Sequence, residues 1–184
     1  MSTELDVMNQ AVAATSQLVG KYLTFAIGEE EYGVPVLKVR EIIKMMDITQ
    51  VPKVPPHVKG VINLRGKVIP IVDLRLKFGF PPQDATERTC IIVVDAALNG
   101  GRNSLGFVVD GVNEVMNIAA EEIEPTPDFG EHVNTTYMQG VAKRGAHVKM
   151  LLDLDRVLSG TSLEGSDCAT DGGCIARLRS SCAP

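Results

Sequence analysis

The sequence predicts an all-β protein, built from two small five-stranded β-barrels around a shared hydrophobic core with a few short helices. Three observations support this prediction. Hydrophobic residues make up 45% of the 184 residues, aromatic residues only 4%, and tryptophan is absent, so the core is aliphatic. The apolar runs are short and separated by Gly, Pro and polar turns, as in strands. Two blocks of sequence recur in the same order, which indicates one β unit made twice.

Composition excludes several classes of partner. The formal net charge is -5 and the pI is near 5.2, with no basic patch that would bind nucleic acid through its phosphates. No apolar run approaches the roughly 18 residues of a membrane span. The first ten residues, "MSTELDVMNQ", carry no basic residue and are no secretory signal. The sequence therefore predicts a cytoplasmic protein with no nucleic-acid partner and no direct membrane insertion.

The first part of the chain predicts a leader and then a hairpin. Residues 1–19 are polar or small and predict a flexible leader. "KYLTFAIG" and "YGVPV" predict two paired strands. In "VLKVREIIKMM" the apolar residues fall at helical spacing, which predicts a short helical turn leading into a further strand. Three prolines in "TQVPKVPPHVKG" then end regular structure.

The run "GVINLRGKVIPIVDL", residues 60–74, predicts two strands joined by a tight turn at Arg65 and Gly66. Gly66 supplies the positive φ that a type II turn needs. Pro70 interrupts the second strand and suits an edge or a bulge. Asp73 is placed to cap the short helix "LRLKFG", because its carboxylate can accept the free N–H groups of the first turn.

The internal repeat defines the predicted barrels. "EYGVPVLKVREII" matches "SLGFVVDGVNEVM" at an offset of 73 residues, and "GVINLRGKVIPIVDL" matches "GVAKRGAHVKMLLDL" at an offset of 80. In the second match, Arg144 and Gly145 sit opposite Arg65 and Gly66 at an offset of 79. Closing each unit into a barrel removes exposed strand edges. The linker "PPQDATER" predicts one barrel at about 20–82 and another at about 88–159, followed by a disordered tail at 160–184.

No arrangement of residues indicates catalysis or a cofactor. The three histidines lie in no metal-binding or catalytic pattern, and "NGGRNSLG" lacks the Lys-Ser/Thr of a phosphate loop. Cys90 opens a strand without a neighbouring base. Cys168, Cys174 and Cys182 match no zinc spacing. The sequence predicts no enzyme, no cofactor and no metal site, with a redox or metal sensor in the cysteine-bearing tail as an alternative.

The informative residues therefore concern surfaces. Arg65 stands at a hairpin tip between two aliphatic runs, and Glu41 lies on a polar face beside Val39 and Ile42. Arginine is enriched at interface hot spots and binds carboxylates through two hydrogen bonds. A solvated turn residue and a contact residue are both consistent with this pattern, and composition does not decide between them.

Three segments strongly resemble the CheW family of bacterial chemotaxis: "EEYGVPVLKVREI", "GVINLRGKVIPIVDLRLKFG" and "LGFVVDGVNEVM". The likeness runs from about Lys21 to about Gly160, and its most specific part is the Asn-Leu-Arg-Gly turn followed by Pro-Ile-Val-Asp-Leu. The resemblance implies SH3-like barrels and a non-enzymatic cytoplasmic adaptor. Such an adaptor is recruited to membrane-associated receptor arrays, where it links methyl-accepting chemoreceptors to the histidine kinase CheA.

The resemblance also implies a receptor-binding site. The family's turn arginine matches Arg65, and its receptor-binding groove between the barrels matches Val36, Val39, Glu41, Ile42 and Gly60. The kinase-binding face is not placed. Similar domains occur within CheA and CheV, but this chain has no room for a kinase, phosphotransfer or receiver domain. A CheW-like scaffold of a receptor–kinase pathway outside chemotaxis is the alternative function.

Overall fold

The computed structural model describes residues 17–98, 101–127 and 135–159, without the side chains of Leu98 and Ser159. Within these ranges the chain is mostly strand, as the sequence predicts. The strands are β1 (Gly20–Ile27), β2 (Glu30–Pro35), β3 (Val39–Lys44), β4 (Val58–Leu64), β5 (Lys67–Asp73), β6 (Cys90–Leu98), β7 (Gly101–Val109), β8 (Gly111–Ile118), β9 (Ile123–Glu124), β10 (Met138–Arg144) and β11 (His147–Leu152). The short helices are α1 (Leu74–Lys77) and α2 (Leu154–Ser159), with 3₁₀ turns at Val36–Lys38 and Ala120–Glu122. None of the helices in these ranges is long and apolar enough to cross a bilayer.

The described strands form two sheets, which confirms the all-β class. Sheet I has the order β8-β1-β2-β11-β10-β9, and sheet II has the order β3-β6-β7-β5-β4. Sheet II has the predicted five strands, whereas sheet I gains a sixth strand, the two-residue β9. The predicted short helical turn at Val36–Lys38 leads directly into β3, as expected from its apolar spacing.

The two repeats are interleaved between the sheets, which corrects the predicted barrels at 20–82 and 88–159. Sheet I combines β1 and β2 of the first repeat with β8, β10 and β11 of the second. Sheet II combines β6 and β7 of the second repeat with β3, β4 and β5 of the first. The chain changes sheet after β2 and again after β7. The linker at 81–88 therefore divides the repeats but does not divide the sheets.

The β4–β5 and β10–β11 hairpins keep a constant offset of 80 residues through their turns. Leu64 pairs with Lys67, and Arg144 pairs with His147, so each turn has two residues. Gly145 is thus the structural counterpart of Arg65, which corrects the predicted alignment of Arg144 with Arg65. Only the first hairpin carries an arginine at this turn position.

The turn at Arg65 differs from the predicted type II turn. Arg65 has a φ of 51° and Gly66 a φ of 83°, and a two-residue hairpin with both values positive is type I′. Asn63 Oδ1 accepts a hydrogen bond from Gly66 N at 2.9 Å and supports the turn. Pro70 does not lie in an edge strand, since β5 runs between β4 and β7. Its missing N–H is tolerated because the parallel pairing with β7 begins one residue later, at Ile71.

The core has three parts: one cluster between the two sheets and one further cluster within each sheet. One cluster draws on both sheets and on α2, and this confirms the predicted shared core. Its buried members are Leu23, Phe25, Ile27, Tyr32, Val34, Val58, Val72, Leu74, Ile92, Val94, Ala96, Leu105, Phe107, Val109, Leu152, Leu154, Val157 and Leu158. A smaller cluster around Ile118 belongs to sheet I, and another around Ile71 belongs to sheet II. The core is aliphatic apart from a few aromatic rings.

Two ion pairs hold the segments where the chain changes sheet. Lys38 pairs with Asp155 of α2, and Arg75 of α1 donates to Asp110 through two nitrogens, with Nε at 3.3 Å from Oδ1. Arg75 and Asp155 occupy the same repeat position with opposite charge. Partial burial acts to raise the pKa of each aspartate, but the hydrogen bonds from the paired cation and a backbone N–H outweigh it, so both pKa values lie below the usual one. The Lys38 contact fixes the turn from which β3 begins.

The Arg65 cleft as candidate functional site

Arg65 and Glu41 form an ion pair between the two ends of sheet II. Glu41 lies on β3 at one end of the sheet order, and Arg65 follows β4 at the other end. Arg65 Nη2 nevertheless donates to Glu41 Oε2 at 3.0 Å, so the sheet curves until its two terminal strands approach. The structure therefore brings together two of the predicted site residues that lie 24 positions apart in sequence.

The Arg65 guanidinium remains open to a partner. Its side chain is 79% exposed, compared with 27% for that of Glu41. An exposed ion pair contributes only about 0–1 kcal/mol to stability. Guanidinium has five N–H donors in a planar fork, and the contact with Glu41 uses Nη2. Arg65 can therefore bind a carboxylate of another molecule without losing a strong internal contact.

A small cleft of about 130 Å³ lies beside this pair. Its floor is apolar, with buried Ile69 and Val93. The remaining lining residues are Arg40, Glu41, Leu64, Arg65, Lys67 and Ser104. Asp95 supports the rim, because Asp95 Oδ2 accepts from Arg40 Nε at 2.9 Å and Asp95 Oδ1 accepts from Ser104 at 3.0 Å. The cleft thus combines an apolar floor with fixed charges at its edge, an arrangement suited to a protein segment.

Strand register places Val39 and Ile42 on the opposite face of sheet II, the face that meets sheet I. Val39 pairs with Val94 and Ile42 pairs with Ile92, and both partners belong to the shared core. Val36 and Val39 are half-buried against this core, whereas Ile42 is 45% exposed at its rim. These three residues follow the junction between the sheets, while Glu41 and Arg65 lie on the other face of sheet II, beside its terminal strand β3.

Gly60 differs from the other predicted site residues because it is buried. A Cβ at this position would overlap the backbone oxygen of Thr49. Thr49 and Val61 exchange backbone hydrogen bonds, both at 2.9 Å, and hold the 49–50 segment against β4. The geometry gives Gly60 a packing function, since it allows this close approach. A partner would not contact it directly.

Sequence reasoning missed several residues of this surface. Leu37 is 99% exposed in the 3₁₀ turn, beside a groove of about 440 Å³ whose apolar lining includes Val19, Pro35 and Val36. The family resemblance matched Val36 and Val39 to the receptor-binding groove and did not include Leu37. Asp95 and Ser104 were missed because their contacts with Arg40 depend on strand pairing, for which a single sequence carries no local pattern.

Comparisons with known proteins identify a family for this chain. The profile of the CheW-like domain matches residues 21–162, which is most of the chain. The chain belongs to the CheW family. It is 39% identical over 153 residues to the chemotaxis protein CheW of Klebsiella aerogenes, covering 80% of this chain and 90% of that protein. It is 34% identical over 139 residues to CheW of Helicobacter pylori, covering 75% and 81% respectively.

A solved structure confirms that this chain has the fold of the CheW family. The scaffolding protein TtCheW from Thermoanaerobacter tengcongensis superposes with a TM-score of 0.68 and is 32% identical, covering 80% of this chain and 96% of that one. CheW-family proteins are non-enzymatic scaffolds, which confirms the prediction that this chain is no enzyme. Cys168, Cys174 and Cys182 lie outside the described residues, so the tail-sensor alternative stays a prediction.

Proposed function

We propose that this CheW-family chain is a cytoplasmic chemotaxis adaptor that couples the signalling tips of methyl-accepting chemoreceptors to the histidine kinase CheA. The observation that carries the proposal is the Arg65–Glu41 ion pair between the two ends of sheet II. It presents an exposed guanidinium beside a cleft with an apolar floor, on a protein whose family has no catalytic activity. Receptor tips would recruit the adaptor to membrane-associated arrays.

The receptor contact follows a helix-in-groove mode. An amphipathic helix from the receptor lies along the junction of the sheets, where Val36, Val39 and Ile42 provide apolar anchoring. Arg65 and Glu41, at the edge of sheet II formed by β3, pair with charges on the helix and fix its register. Gly60 supports this surface from below by holding the 49–50 segment in place.

Coupling also requires a second surface for the kinase. The groove beside Leu37 is the best candidate, because Leu37 is almost fully exposed and the groove is lined by apolar residues of the first strands. We assign it to the CheW-like domain of CheA. The 3₁₀ turn carries both Val36 and Leu37, and its Lys38 pairs with Asp155, so the two surfaces meet at one turn.

The proposal is tested by reconstitution. The full chain is mixed with CheA and a soluble receptor hairpin that includes the signalling tip, and complexes are followed by sedimentation and by kinase autophosphorylation. We expect pairwise complexes, a ternary complex, and kinase activity that depends on the chain. A chain that binds neither partner contradicts the proposal. Recovery of a different receptor and kinase from native cells would instead favour the pathway outside chemotaxis.

A further inference from the structure

The internal repeat has produced a second version of the Arg65 cleft on sheet I. Glu114 on β8 repeats Glu41 on β3, and both strands pair with a neighbour through an irregular register at this point. Gly145 repeats Arg65 at the hairpin tip, with a similar φ of 63°. The second version therefore retains the carboxylate but has no side chain at the turn.

In the second version the cation is Lys149, which lies on β11 and not at the hairpin turn. It repeats Ile69, which forms part of the floor of the Arg65 cleft. Its Nζ lies 3.0 Å from Glu31 Oε2 and 3.8 Å from Glu114 Oε1. The Lys149 side chain is only 8% exposed, so it fills the position equivalent to the floor, where it pairs with Glu31 and lies near Glu114, whose side chain is 62% exposed.

Two exposed apolar positions are kept in both versions. Val115 repeats Ile42, and Val148 repeats Val68. All four are exposed large hydrophobic residues. The two versions therefore share these exposed apolar residues and differ in their charged residues and at the floor, where Lys149 repeats Ile69.

These differences decide which version can exchange its ion pair for a partner. Arg65 is solvated and can leave Glu41 at little cost. Lys149 is only 8% exposed, and separating it from Glu31 would leave its ammonium group without a carboxylate partner in a buried place. We infer that sheet I carries a closed copy of the docking site, that Lys149 is the residue that closes it, and that the chain binds a single carboxylate-bearing amphipathic helix, through Arg65. This inference rests on the proposed receptor contact.

The first test uses tryptophan reporters, since the chain contains no tryptophan. Val68→Trp and Val148→Trp are matched variants at exposed repeat-related positions. Each is titrated with a tryptophan-free receptor hairpin, and stoichiometry is measured by calorimetry on the unmodified chain. We expect one equivalent of hairpin per chain and a fluorescence change for Val68→Trp alone. Two equivalents, or an equal response of Val148→Trp at the same concentration, would overturn the inference.

The second test opens the closed copy. Glu31→Ser, Gly145→Arg and Lys149→Ile place at three positions of sheet I the residues that Ser104, Arg65 and Ile69 provide in sheet II. Arginine fits at 145, since Arg65 already adopts a similar φ and a Cβ there meets nothing within 4 Å. In an Arg65→Ala background, which should weaken hairpin binding at least tenfold, this folded triple variant should restore one equivalent of binding.

The outcomes separate the inference from the proposed function. If Arg65→Ala alone leaves hairpin binding unchanged, the proposed receptor contact fails. If Arg65→Ala abolishes binding and the folded triple variant does not restore it, only the role of Lys149 fails. Should the triple variant not fold, the stoichiometry and the tryptophan pair still decide whether sheet I binds the hairpin.

Discussion

Arg65 donates a hydrogen bond to Glu41 from a backbone conformation that is unfavourable for arginine. Its φ of 51° lies in the left-handed region, which costs a residue with a Cβ roughly 1–2 kcal/mol. The exposed ion pair returns only about 0–1 kcal/mol. Folding therefore gains little from an arginine at this position, and a backbone outlier of this kind points to a role in function.

Arg65→Ala should keep the fold and weaken receptor binding by about 2 kcal/mol, the range of an interface hot spot. Calorimetric titration with the receptor hairpin measures the loss, and thermal melting checks the fold. Arg144→Ala is the matched control, because Arg144 is also exposed, ends a repeat-related strand and lies near a glutamate, at 3.8 Å from Glu122. Equal binding by the two variants would contradict the role of Arg65.

Arg65→Asn should raise stability while weakening the receptor contact. Asparagine tolerates the left-handed region, and Asn followed by Gly66 is the favoured pair for a type I′ hairpin turn. We expect the free energy of unfolding to rise by about 0.5–1 kcal/mol after the lost ion pair is included. Urea unfolding and hairpin titration of the same sample measure both quantities. A variant that is less stable than the parent chain would show that Arg65 is not strained.

The local features of the fold could be predicted because short-range chemistry determines them. Asp73 caps α1 by accepting from the N–H groups of Arg75 and Leu76, and Asp153 accepts from the N–H of Asp155 in the same way. The aliphatic pattern predicted the strands, and the repeat predicted two similar modules. The predicted type II turn was wrong because a glycine at position 66 indicates a positive φ there but gives no information on the φ of Arg65.

The interleaving of the repeats could not be predicted from the pattern. Both repeats carry the same alternation of apolar residues, so β1 and β2 are equally suited to the later strands of either repeat. Gly33 lies opposite Leu151, and Gly106 lies opposite Ile71, so each parallel pair joins one repeat to the other. The packing of Gly60 against Thr49 could not be predicted either, since close backbone approach is a property of the folded chain.

Gly60→Ala should destabilise the protein without any direct effect on a partner. The new Cβ would overlap the oxygen of Thr49, and φ at this position is 140°, a value that residues with a side chain rarely adopt. We expect a loss of at least about 2 kcal/mol in the free energy of unfolding. Hydrogen exchange should rise at Thr49 and Val61, whose mutual bonds would break. A variant with parent stability and reduced receptor affinity would instead make Gly60 a contact residue.

Acid should unfold the protein by releasing the ion pairs that join the sheets. The pKa values of Asp110 and Asp155 lie below the ordinary value of 3.8, so the carboxylates bind protons less readily in the folded chain. Their contribution is present above pH 3.8 and is lost as the pH falls through the lower folded values. Urea midpoints should therefore decrease below about pH 4. Asp155→Asn should reduce this pH dependence, and an unchanged acid profile would contradict the assignment.

Neither repeat should fold without the other. Sheet I needs β8, β10 and β11 beside β1 and β2, and sheet II needs β6 and β7 beside β3, β4 and β5. A fragment that ends at residue 82 therefore keeps strands from both sheets but completes neither, and it leaves much of the shared core exposed. We expect fragments 1–82 and 83–184 to lack cooperative melting when separate and to regain β circular dichroism when mixed. A cooperative melt from either fragment alone would show that the repeats can form independent barrels.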